Sequence, residues 1–127
     1  MTTALPMKCR KYLAERGLAY DEIEEGGQRG IVLRAMRLPV GRFDAATADI
    51  LILLPPGYPD VAPDMFYAMP WLKLAATATY ARCADVPFAF ACQTWQRWSR
   101  HSNEWRPGRD GIWTMLKRIE AALEKAA

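Results

Sequence analysis

Leu54-Pro55-Pro56-Gly57-Tyr58-Pro59-Asp60-Val61-Ala62-Pro63-Asp64-Met65-Phe66 is the stretch that decides how this chain folds. It follows an apolar run, Ile50-Leu51-Ile52-Leu53-Leu54, of strand length, and the two prolines end that strand because neither can donate to a sheet ladder. Pro59 and Pro63 then fix the backbone of the connection, and the chain becomes apolar again at Met65. Tyr58 can pack its ring against a core while its hydroxyl finds a polar partner. The run therefore reads as a stiff loop joining two buried strands.

Upstream, Leu5, Cys9, Tyr12 and Leu13 share one face at helical spacing, with Lys8, Lys11 and Glu15 around the other side. Gly17 supplies a stop, so a helix is expected over residues 5–16. Residues 20–24 alternate as a half-buried strand, Gly26 and Gly27 break it, and residues 30–38 resume as a second strand. Pro39 and Gly41 turn the chain into a third strand over 48–54. A short fourth strand over 64–69 stops at Pro70. Downstream, Ile112, Leu116, Ile119 and Leu123 recur at helical spacing behind Asp110, a fitting N-cap, and predict a closing helix to about Lys125. Residues 71–109 lack clean periodicity and read as a long irregular segment holding four tryptophans, two cysteines and the only histidine. Such segments are usually functional.

Composition narrows the classes. A chain of 127 residues with no internal repeat or linker makes one domain over residues 1–127 with an ordinary core. Three cysteines cannot all pair, which points to a reduced, cytoplasmic protein. The N-terminus turns charged after eight residues, so neither a leader peptide nor a membrane span is expected. A net charge of +3 is too small to argue for nucleic acid by itself. One histidine and scattered cysteines show no CxxC or HxxxH spacing, so no metal or other cofactor is expected.

The Tyr58-Pro59 loop with Pro63 before the next strand resembles the signature of ubiquitin-conjugating enzymes. Trp105-Arg106-Pro107 ahead of the last helix is similar to that family's Trp-x-Pro. The order helix, four strands, Tyr-Pro, cysteine region, Trp-x-Pro and helix covers nearly the whole chain, without the two further C-terminal helices that usually complete the fold. With Trp95-Gln96-Arg97-Trp98-Ser99-Arg100-His101, the chain resembles the prokaryotic ubiquitin-conjugating family E. That resemblance implies an α+β, ubiquitin-conjugating-like fold: an N-terminal helix, a four-stranded antiparallel meander, a long irregular active-site segment and a C-terminal helix. It also implies partners: a bacterial ubiquitin-like protein, an activating-enzyme-like protein and a JAB-type peptidase.

The implied chemistry is a cysteine thioester passed to an amine, for which the thiol must be exposed and in a positive field. Cys9 falls on the apolar face of the first helix and reads as packing. Cys83 lies as far beyond Tyr58 as the family's nucleophile lies beyond its own Tyr-Pro, and Arg82 adjoins it. Cys92 is nearer to Trp105 and opens a stretch holding Arg97, Arg100, His101, Arg106 and Arg109. Cys92 is preferred, Cys83 comes second, and a non-catalytic binding module for a ubiquitin-like protein or partner enzyme stays open. The family's His-Pro-Asn, whose asparagine supports the oxyanion, is missing. His101 is the candidate base or hydrogen-bond donor, with Asn103 as another substitute. Lys8 and Lys11 on the first helix are candidates for docking the activating enzyme. Trp95 and Trp98, three apart, read first as core side chains on a shared helical face and secondarily as a stacking platform for single strands.

Overall fold

A computed structural model describes residues 5–100 and 104–127. The elements are α1 (Met7–Glu15), β1 (Tyr20–Glu25), β2 (Gln28–Arg37), β3 (Thr47–Leu54), β4 (Phe66–Met69), β5 (Val86–Phe90), β6 (Gln93–Trp98) and α2 (Ile112–Lys125). The strands form one antiparallel sheet in the order β1-β2-β3-β4-β6-β5.

Alternation along the strands divides the apolar residues between two cores. Ile31 and Leu33 of β2, Ile50 and Ile52 of β3, and Phe66 and Ala68 of β4 face both helices, meeting Cys9 and Leu13 of α1 and Leu116, Ile119 and Leu123 of α2. Val32, Leu51 and Tyr67 point the other way, into a second cluster closed by Phe90 and Trp95. A bulge after Leu33 shifts the parity of β2, so that Met36 and Leu38 rejoin the first core. At that bulge Ala35 takes φ 48° and its amide donates to Asp49 Oδ1 at 2.8 Å, which satisfies the donor the ladder leaves out.

The expected four-stranded sheet is extended, and the expected irregular segment is corrected, by the hairpin of β5 and β6. Its turn is the two residues Ala91 and Cys92, between the paired Phe90 and Gln93, with φ 54° and 61°. Two positive values match a type I′ turn, whose twist suits a hairpin but whose usual residues are Asn and Gly. The hairpin curls the sheet until the Ala91 amide meets the Glu25 carboxylate at the end of β1. In a hairpin of this kind Pro87, paired with Gln96, occupies a position whose amide would point away from β6. Proline costs no ladder bond there and blunts the sheet edge.

Two further corrections follow. Trp95 and Trp98 lie on a strand, and their odd spacing sends them to opposite cores, where they are 1 % and 0 % exposed. Buried faces exclude the stacking-platform reading. Among the described residues no helix is long and apolar enough to cross a membrane.

Candidate functional site

The Tyr-Pro loop is compact because its own amides close it. Tyr58 N donates to Pro55 O at 3.0 Å, and Asp60 N and Val61 N both donate to Gly57 O, at 2.8 and 3.1 Å. Gly57 holds φ 90°, and a side chain there would stand 2.9 Å from Val61 Cγ2. Tyr58 Oη lies 3.2 Å from Cys9 Sγ, tying the loop to α1. Burial, with the Cys9 contact assisting, pushes the Tyr58 hydroxyl far above its ordinary value, so it stays protonated. Trp105 Nε1 donates to Pro59 O at 2.9 Å, and its ring packs on Tyr58 with centroids 6.4 Å apart. The two motifs, 46 residues apart in sequence, are one contact in space.

The connection from β4 to β5 carries Cys83, and Gln96 fastens it. This glutamine is fully buried on the helix-facing side of β6. Its Oε1 accepts from Leu72 N at 2.7 Å and from Trp98 Nε1 at 3.1 Å; its Nε2 donates to Leu72 O at 3.0 Å and Ala84 O at 2.7 Å. Both ends of the stretch from Leu72 to Ala84 are thereby stitched to one side chain. Between buried Ala81 and Ala84, Cys83 is exposed at φ 57°. Its carbonyl accepts from Ser99 N at 3.0 Å. Around it lies a pocket of about 550 Å³ lined by Arg82, Ser99, Arg100, Lys125 and Ala127. Three cationic residues thus share the wall of one exposed thiol.

Cys92 is also exposed, but it occupies the β5–β6 turn next to the residue that Glu25 holds. It immediately precedes β6, and Ser99 immediately follows that strand. At about 3.3 Å per residue the seven steps separate them by roughly 23 Å. Ser99 and Arg100 therefore join Cys83, and Cys92 stands apart. Cys9, 1 % exposed, belongs to the core as its helical position implied. His101 and Asn103 lie outside the described residues.

Arg10 on α1 is bound by Glu22 at 2.6 Å, and Arg16, just past the helix, by Glu120 at 3.5 Å. Lys8 and Lys11 are exposed and enter no ion pair among the described residues. At the start of α2, Asp110 accepts from Arg106 N at 2.7 Å and Thr114 Oγ1 at 3.0 Å. The Arg106 amide above all, with the Thr114 hydroxyl assisting against burial, holds that carboxyl below the usual range.

Gln96 is the residue that reading the sequence missed. The signal was present: in a strand over 93–98, Gln96 shares a face with Trp98, and an amide on a core face must find partners.

The model of a family described as Prokaryotic E2 family E matches residues 5–126. No curated protein and no solved structure matches the chain.

Proposed function

The chain belongs to the prokaryotic E2 family E, and on that premise we propose that it carries a bacterial ubiquitin-like protein as a thioester on Cys83 and passes it to an amine. Membership implies a conjugation-type role and dealings with a ubiquitin-like protein and an activating enzyme. The observation that carries the finer reading is the setting of Cys83: exposed, walled by Arg82, Arg100 and Lys125, and bonded through its carbonyl to Ser99.

In the first step the Cys83 thiolate attacks the thioester carbonyl of the charged activating enzyme. A new carbon–sulfur bond forms, the old one breaks, and the activating enzyme leaves as thiolate. In the second step an amine attacks the Cys83 thioester, the carbon–sulfur bond breaks as an amide forms, and the amine loses a proton. His101, next in sequence to Arg100, is the proposed acceptor of that proton. Arg82 and Arg100, which line the pocket with Cys83, are the proposed donors to the negative charge that develops there. Lys8 and Lys11, exposed and in no ion pair among the described residues, are the proposed contact for an acidic face of the activating enzyme. A JAB-type peptidase that trims or removes the modifier completes the proposed set, working in the cytoplasm.

Incubation with the activating enzyme, the modifier and ATP tests this directly. A reductant-sensitive adduct is expected that persists in Cys92→Ser and disappears in Cys83→Ser. The opposite pattern would move the carrier to Cys92 and leave the class intact. Binding of the modifier with no adduct under any condition would assign the chain to the non-catalytic class.

A further inference from the structure

Arg118, on α2, is half-buried and takes no part in an ion pair among the described residues. Its guanidinium is spent on main-chain carbonyls instead. Nη2 donates to Asp64 O and to Arg100 O, both at 3.2 Å, and Nη1 reaches Pro63 O at 3.5 Å and Met115 Sδ at 3.2 Å. Burial pushes this guanidinium below its ordinary value, against the pull of the Asp64 charge. A cation kept in such a place costs desolvation, and carbonyl partners return less than a carboxylate would.

What the cost secures is a junction. Pro63 and Asp64 end the Tyr-Pro loop, and Arg100 is the second residue beyond β6. From Arg100 the chain of contacts runs to the thiol. The Arg100 guanidinium lies 5.1 Å from the centroid of the Trp98 ring and donates to Ser99 O at 2.9 Å. Ser99 N in turn holds the Cys83 carbonyl at 3.0 Å. A planar fork with several donors can grip both segments at once, which a single ammonium cannot.

We propose that Arg118 is a positioning residue for the Cys83 site: it pins the Ser99 and Arg100 wall of the thiol pocket to the end of the Tyr-Pro loop. This deepens the thioester reading and rests on it. The residue touches neither the thiol nor the cargo, so its effect passes through the placement of Arg100.

The test uses the full chain, with Arg118→Met keeping the apolar stem and Arg118→Lys keeping the charge. Two rates are read: modification of Cys83 by iodoacetamide at fixed pH in a Cys92→Ser background, and charging by the activating enzyme resolved into kcat and KM. Small misplacements at a reacting centre cost large factors. Arg118→Met is expected to lower the charging kcat by about tenfold with KM within twofold, and to slow alkylation severalfold. Arg118→Lys is expected to fall between Met and wild type, and it alone decides the matter if the Met variant does not fold. Either variant, folded and with both rates within twofold of wild type, overturns the proposal. Should the wild-type chain form no adduct at all, the thioester reading fails separately, and alkylation still decides whether Arg118 sets the pocket.

Discussion

Replacing Gln96 by leucine removes a buried side chain that ties both ends of the Cys83-bearing connection to the sheet. Four hydrogen bonds disappear, and the Leu72 amide, the Leu72 and Ala84 carbonyls and the Trp98 indole N–H lose their partner. At about 1 kcal/mol net per bond, and more for each group left buried and unsatisfied, the sum is about 4 kcal/mol after crediting leucine for its apolar surface. A domain of this size has about 5–15 kcal/mol in total, so Gln96→Leu spends a large share of it. At about 2.1 cal/mol/K per residue, 127 residues give an unfolding entropy near 0.27 kcal/mol/K and a Tm lower by about 15 °C. Urea unfolding followed by tryptophan fluorescence reads this directly, since Trp98 sits on the same amide. A midpoint change worth less than 1 kcal/mol at unchanged slope would refute the view of Gln96 as a hub.

Exchanging Ala91 and Cys92 for Asn and Gly should raise stability by about 1 kcal/mol, because both positions hold a left-handed backbone that these residues tolerate; the urea midpoint measures it, and a fall would show that the turn is not strained. Asp110 has a folded value below its unfolded one of about 4, so its contribution is present above that pH and is lost as pH falls through the folded value. The Asp110→Asn variant should therefore show a flatter loss of stability below about pH 4 than wild type in urea midpoints taken across acid pH; an unchanged slope would place the acid sensitivity elsewhere.

The first half of the chain was legible because its signals are local. Gly26 and Gly27, the prolines at 55 and 56, and strand-length apolar runs from Ile31 to Leu33 and from Ile50 to Leu54 mark strands and turns that the structure places within two or three residues of expectation. The hairpin of β5 and β6 was not legible, and each reason is physical. Pro87 argues against a strand unless the strand is an edge, and Ala91 with Cys92 gives no Asn-Gly signal at a turn that has type I′ geometry. Gln96 breaks the apolar alternation because it serves the neighbouring connection as a hydrogen-bond hub. At the site, spacing to Tyr58 and spacing to Trp105 chose different cysteines. The hairpin explains the conflict: it inserts a strand, β6, between Cys92 and the Ser99–Arg100 pair, which lengthens the chain without moving Cys83 away from that pair.

Cys9 has a use that its place in the core does not advertise. Two of the three thiols face solvent, while the third is shut beneath α1 against the Tyr58 hydroxyl. A thiol-counting reagent therefore meets two prompt groups and one that reacts only when α1 lifts from the Tyr-Pro loop. The chain carries its own clock for that opening, built in at the joint where its first element meets the segment that defines its fold.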